Sequence, residues 1–324
     1  MKAAWYEKQG EAREVLVFGE MDEPFPGKGE VRLKIAFSGV NPGDVKKRRD
    51  SFGIGMPYPR VIPHSDGAGV VDMVGERVSS KWLKKRVWCH GAQSYRPFGT
   101  AAEFTVVPLE KIAELPDSTS FEAGATLGIP GLTAHRAVHI AGKIKNKTVL
   151  VQGGAGAVGA CAVQLAHRAG ARVLATCRSE NDFDKAFRAG ADKVLLTGND
   201  LAENIKIMAP EGIDHIVEVA FAANIKTNVE VLNQGGSLAA YATNSPEPQI
   251  PFWEMVFKNI NVFFVGSDDI PADMKVEATE DINQALKKGW KGLEVSEIIP
   301  LEKIAEAHEL VETPKKSGRV IVKI

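Results

Sequence analysis

The chain has 324 residues, 44% of them hydrophobic and 25% charged, with 40 Lys+Arg against 41 Asp+Glu for a formal net charge of −1. This is the balance of a soluble globular protein, long enough for two domains with cores of their own. Near-neutral charge argues against a polybasic groove for nucleic acid and against a polybasic membrane anchor, and three cysteines (Cys89, Cys161, Cys177) are too few and too scattered for a disulfide framework.

Residues 1–7 run into mixed polar sequence without the apolar core of a signal peptide, and no run reaches the ~18 apolar residues of a membrane helix. A cytoplasmic enzyme is expected. Residues 31–37 (VRLKIAF) alternate, which predicts a strand with Val31, Leu33, Ile35 and Phe37 on one face and Arg32 and Lys34 on the other. The basic run Lys46-Lys47-Arg48-Arg49 has no interleaved aromatics and reads as a solvated helix face. Residues 67–74 and 86–89 carry further strand signals, and short strands at this spacing predict a compact barrel-like β domain.

The pattern changes near Phe121. Residues 148–152, 159–168, 172–176 and 184–189 alternate between apolar strand and helix, and the alternation continues through 193–196, 213–219, 229–232, 237–241 and 262–265. Such alternation predicts βαβ units and a parallel sheet with helices on both faces. Residues 303–311 form an amphipathic helix pattern, Lys315-Lys316 reads as loop, and 319–324 reads as a last strand. A lone terminal strand with no helix after it fits poorly in a doubly wound sheet, so it is expected to return to the first domain.

Within this alternation, residues 148–159 (TVLVQGGAGAVG) hold a G-x-G-x-x-G as Gly154, Gly156 and Gly159. The motif follows an apolar strand, opens a helix and precedes a second strand, the context a dinucleotide pyrophosphate needs. Gly154 would allow the tight turn, Gly156 the approach of the pyrophosphate, and Gly159 the close packing of helix on strand. NAD sites carry Asp or Glu at the end of the second strand to bind the ribose 2′-hydroxyl. Here that stretch is Thr176-Cys177-Arg178-Ser179. Arg178 can pair with a 2′-phosphate and Ser179 can donate to it, so NADPH is expected over NADH.

With these features assembled, the sequence resembles the medium-chain dehydrogenase/reductase superfamily, in its zinc-free quinone oxidoreductase (zeta-crystallin-like) branch. The resemblance runs along essentially the whole chain. It rests on Gly39-Val40-Asn41-Pro42, Asp66-Gly67-Ala68-Gly69-Val70-Val71, Gly99-Thr100-Ala101-Ala102-Glu103-Phe104 and Leu127-Gly128-Ile129-Pro130-Gly131-Leu132-Thr133-Ala134. The glycine loop, Gly235-Gly236-Ser237-Leu238 and the stretch 300–309 (PLEKIAEAHE) complete it. The resemblance implies an α/β fold: a Rossmann doubly wound parallel sheet over 125–266, inserted in a discontinuous GroES-like β-rich domain of 1–124 and 267–324, with a cleft between the two. It implies pyrophosphate contacts from Ala155, Gly156, Ala157 and Val158, and adenosine contacts near Thr197 and Asn224. Tyr241, Ala242, Thr243, Phe264, Val265 and Gly266 would line the nicotinamide, with Asn41 and Thr133 touching it from the catalytic side. The family often has a tyrosine where this chain has Lys46, a departure that bears on the acceptor.

Zinc-dependent members place a Cys at the Asn41 position and a His at the Ser65 position, so no metal is expected here. His64 reads as a loop or core histidine. The cysteines read as buried packing groups, except Cys177, whose neighbour Arg178 at the expected phosphate site would stabilise a thiolate. The expected activity is hydride transfer from NADPH to a quinone or similar conjugated acceptor, with Asn41 donating a hydrogen bond and Lys46 stabilising developing charge. The alternatives are an enone or alkenal double-bond reductase, with a tyrosine (Tyr58 or Tyr241) or an ordered water delivering the proton to carbon, and an NADPH-binding, RNA-associating or structural protein without turnover. A homodimer or homotetramer is expected.

Overall fold

The computed structural model describes residues 1–314 and 317–324; Lys315 and Lys316 lie outside the described residues. The chain divides into one compact unit of Met1–Ile129 with Thr279–Ile324 and a second of Pro130–Ala278. In chain order, the first segment carries β1 (Lys2–Trp5), β2 (Val17–Glu20), β3 (Glu30–Gly39), β4 (Asp66–Val74), β5 (Arg86–Cys89), β6 (Phe104–Pro108) and β7 (Ile112–Glu114). The second unit carries β8 (Thr148–Val151), β9 (Arg172–Cys177), β10 (Lys193–Leu196), β11 (Ile213–Glu218), β12 (Leu232–Ala240) and β13 (Asn261–Phe264). The last segment adds β14 (Val295–Pro300) and β15 (Arg319–Lys323).

The β-rich unit is organised by β3. This ten-residue strand pairs with β4 along one side, from Val31 to Gly39. On its other side, Glu30–Lys34 meet β6 and Phe37–Gly39 meet the terminal strand β15, all antiparallel. The sheet runs β14-β15-β3-β4-β5-β7, with β6 alongside β3. Val31, Leu33, Ile35, Val71, Val87 and Val107 are buried in one cluster because their period of two puts them on one face. Phe37 departs from the expected face and packs against the cluster around Trp88, while Arg32 keeps to the face opposite Val31 and Leu33 but is not solvated. The Arg32 side chain is buried, paired with Asp72 (2.8 Å) and Glu23 (3.0 Å) and stacked over Phe104 at 4.5 Å. Irregularities in the β3–β4 register at Arg32/Leu33 and Ile35/Phe37 break the strict two-residue repeat.

The second unit is a six-stranded sheet in the order β10-β9-β8-β11-β12-β13, parallel throughout. This is the doubly wound order, with its switch point between β8 and β11. Its strands read as continuous apolar runs because both faces are covered: Leu150, Leu174, Ile213, Ile216 and Leu238 are buried with Ile205, Ile225 and Val229 from the flanking helices. The fold is thus α/β, a Rossmann sheet together with a GroES-like β-rich unit. No helix among the described residues is long and apolar enough to cross a membrane.

Candidate dinucleotide edge and catalytic core

In an open parallel sheet, ligands bind beyond the carboxyl ends of the strands at the switch point. That edge gathers most of the residues singled out from the sequence. Thr197 follows β10, Arg178 and Ser179 follow β9, and the glycine loop follows β8. Asn224 lies in the helix Phe221–Val231 that follows β11. Tyr241, Ala242 and Thr243 follow β12, while Phe264 ends β13 ahead of Val265 and Gly266. Thr133 is not at a strand end; it is buried in the helix Gly128–His139.

The glycines divide their work differently from the motif reading. The left-handed turn belongs to Gly153 (φ +71°), not to Gly154. Gly154 is required by contact, since a Cβ there would lie 2.6 Å from the Ala175 Cβ on β9. At Gly159 a Cβ would lie 2.1 Å from the Gly153 carbonyl oxygen, so the helix Ala157–Arg168 seats directly on the loop. The N-cap of that helix is Gly156, which has no side chain to satisfy the first-turn N–H groups. Those donors remain for an anion.

Arg178 is exposed and forms no ion pair among the described residues. The Ser179 hydroxyl accepts from the Asn181 N–H (3.3 Å) and keeps its own hydrogen to donate. Cys177 does not behave as a stabilised thiolate. It is buried, and burial together with Asp182 pushes its thiol up. Cys89 and Cys161 are fully buried packing groups.

A second cluster lies at the end of β3 in the β-rich unit. Asn41 caps the helix Pro42–Arg48: Pro42 opens the first turn, and the Asp44 carboxylate accepts from the Asn41 N–H at 2.7 Å. The Asn41 side chain is buried. Its Nδ2 donates to Asp66 Oδ2 (2.8 Å), and its Oδ1 accepts from Arg319 Nη2 (2.9 Å). Asp66 also accepts from the Ile129 N–H (2.8 Å), an approach that Gly128 permits, since a Cβ there would lie 2.1 Å from Asp66 Oδ1. Burial pushes the Asp66 carboxyl up to about 7, opposed by Arg319 and Asn41.

Beneath it runs a buried chain of donors with one direction. Arg48 Nε donates to His308 Nδ1 (3.3 Å), so His308 Nε2 carries the hydrogen toward His64 Nε2 (3.0 Å). His64 Nδ1 then donates to Ser38 (2.7 Å), Ser38 to Thr100 (2.7 Å), and Thr100 to the Asp66 carbonyl (2.6 Å). Both rings are neutral, because burial pushes His64 down to about 3 and His308 well below its ordinary value. His64 is thus a core histidine. The solvated-face reading of Lys46-Lys47-Arg48-Arg49 fails at Arg48, which is fully buried and pairs with Glu312. Lys46 is exposed, 5.8 Å from the Phe52 ring centroid, and forms no ion pair among the described residues.

A family model described as zinc-binding dehydrogenase matches residues 157–283, and one described as alcohol dehydrogenase GroES-like domain matches 27–117. Over 309 residues the chain is 30% identical to a quinone oxidoreductase of Mus musculus, covering 92% of this chain and 90% of that protein. The chain belongs to the quinone oxidoreductase family of medium-chain dehydrogenase/reductases. It is an oxidoreductase. A crystal structure of an NAD-dependent alcohol dehydrogenase superposes with a TM-score of 0.89 at 26% identity, over 100% of both chains. The Escherichia coli quinone oxidoreductase complexed with NADPH superposes at 0.86 with 22% identity, again over 100% of both, a likeness of fold.

Within this quinone oxidoreductase family frame, the residues the sequence did not single out are Asp66 as a hub, Arg319, and the buried Gln152, Glu218 and Asn228. Asp66 stands in a glycine-rich motif, where a lone carboxylate beside small residues was a usable signal. Arg319 had none, because its partner is 278 residues away.

Proposed function

We propose that the protein reduces quinones, or acceptors of similar conjugation, with NADPH and without zinc. The observation that carries this reading is the donor set at Asn41. Its amide oxygen faces the Arg319 guanidinium and its amide nitrogen faces Asp66, while both ring nitrogens of His64 are engaged by Ser38 and His308. A catalytic zinc needs three converging lone-pair donors, and this set does not fit one. The 30% likeness to a quinone oxidoreductase supports the acceptor class.

NADPH, when bound, supplies the hydride from its nicotinamide ring. A quinone is already activated by delocalisation, so the chain's part is to bind, orient and exclude water. The glycine loop and the open N-terminus of the helix Ala157–Arg168 take the pyrophosphate, and Arg178 with Ser179 takes the 2′-phosphate. Thr197 and Asn224 take the adenosine half. Tyr241, Ala242, Thr243, Phe264, Val265 and Gly266, with Thr133 and Asn41, take the nicotinamide half, and Lys46 offers charge to the reduced acceptor. NADPH oxidation measured against quinones, enones and alkenals, with and without a chelator, tests this. The expected result is quinone turnover that survives chelation and favours NADPH over NADH. Turnover of enones alone, or its loss on chelation, overturns the reading.

We further propose a homodimer or homotetramer. Support comes from β13, an edge strand of the parallel sheet, and from the adjoining helix Phe252–Phe257, where Trp253 and Phe257 are 66% and 73% exposed. Sedimentation of the wild type against Trp253→Glu reads the assembly; a monomeric wild type overturns it.

A further inference from the structure

The glycine loop is tied to a buried carboxylate on another strand by hydrogen bonds that all run one way. The Gly153 N–H donates to Thr176 Oγ1 (3.0 Å). The Thr176 hydroxyl donates to Gln152 Oε1 (2.7 Å), and Gln152 Nε2 donates to Asn228 Oδ1 (2.9 Å). Asn228 Nδ2 ends the chain on Glu218 Oε2 at 2.5 Å. Each side chain in it is fully or almost fully buried: Gln152 is 1% exposed, and Thr176, Glu218 and Asn228 are 0%. No water can substitute for a lost partner at such depth without a cavity to hold it.

Glu218 also organises a second element of the same edge. It accepts from the Ala220 N–H and from Asn224 Nδ2, at 3.0 Å on Oε1 and 3.2 Å on Oε2. Asn224 is therefore held by the acceptor that terminates the chain from the loop. A carboxylate only accepts, so it fixes the direction of every amide and hydroxyl upstream of it. Four strands and helices contribute: Gln152 follows β8, Thr176 is on β9, Glu218 ends β11, and Asn228 lies in the helix Phe221–Val231. These are the elements around the switch point.

We infer that Glu218 is a positioning residue for the dinucleotide, coupling the glycine loop to Asn224 through Asn228, Gln152 and Thr176. The inference rests on the proposed NADPH reading. It assigns these side chains no contact with the cofactor; they set the Gly153 peptide and the Asn224 amide that face it.

The test is NADPH binding by titration of the full chain, far below its unfolding temperature. Thr176→Val keeps the shape and removes both bonds, while Thr176→Ser keeps the hydroxyl. Loss of a bond that orders a binding loop should raise the NADPH dissociation constant about tenfold for Thr176→Val, with Thr176→Ser within about twofold of wild type. Glu218→Gln replaces one of the two accepting oxygens by an NH2 group that faces other N–H donors, and should weaken binding as well. Because the residues act as one chain, the double variant Glu218→Gln/Thr176→Val should bind more tightly than the product of the two single effects requires. Wild-type affinity in Thr176→Val, equal weakening in Val and Ser, or multiplying effects in the double variant overturn the inference alone. A wild type that binds neither NADPH nor NADH overturns both the inference and the proposed function.

Discussion

Asn41 and Arg319 stand 278 residues apart in the chain and meet through a hydrogen bond of 2.9 Å, guanidinium Nη2 to amide Oδ1. With the oxygen taken, the amide nitrogen must face Asp66, which accepts it at 2.8 Å. A short helix N-cap on β3's loop thus acquires one fixed orientation from the last strand of the protein.

If that orientation serves catalysis, Asn41→Ala should lower kcat and leave NADPH affinity nearly intact. Removal of a donor from a water-poor site raises a barrier by about 2.7–4 kcal/mol. Lys46→Met should slow quinone reduction at saturating NADPH by far less, because Lys46 is exposed. Steady-state kinetics of both variants decides, and wild-type turnover in either removes that residue from the mechanism.

Arg178→Ala should erase most of a preference for NADPH over NADH. The guanidinium is exposed at the end of β9 and has no carboxylate to satisfy it among the described residues. Loss of a charge-assisted contact to a phosphate costs about one to two decades in affinity. Titration of both cofactors into wild type and variant measures it, and equal binding of the two by the wild type contradicts the assignment.

Gly159→Ala and Gly156→Ala should separate stability from binding. A methyl at 159 meets the Gly153 carbonyl oxygen at 2.1 Å, whereas one at 156 meets it at 3.2 Å. The first should destabilise by about 1–3 kcal/mol through overpacking and abolish dinucleotide binding. The second should unfold near the wild-type midpoint while binding poorly, since its methyl stands at the exposed mouth of the loop. Denaturant unfolding alongside cofactor titration reads both.

The Asp66 carboxyl gives stability a pH dependence with a definite sign. Its folded value is raised to about 7 by burial, against ~3.9 in an unfolded chain. The folded state therefore binds this proton more tightly. The associated stabilisation is full below about pH 4 and is lost as pH rises through about 7. Between about pH 5 and about pH 8 the wild type should lose stability relative to Asp66→Asn, whatever the substitution costs overall. Parallel thermal-midpoint curves for the two proteins would falsify this.

The sequence by itself determined the parallel sheet around β8 and β9, the glycine loop and the family, because each is written in local order. An apolar strand, a G-x-G-x-x-G and an amphipathic helix occupy consecutive residues, and hydrophobic period alone distinguishes them. Tertiary structure decided which polar groups are buried and what they do there. Arg48 sits in a run that looks solvated, yet it meets His308 and Glu312, 260 and 264 residues away. Arg32 sits at an outward position of an alternating strand, yet Asp72 and Phe104 cover it. Cys177 stands beside an arginine in sequence, yet burial and Asp182 govern its thiol. Nor did any local pattern mark Gln152, Asn228 and Glu218 as one chain. A buried polar group is tolerated only where a partner meets it, and here those partners come from strands and helices that are remote in sequence.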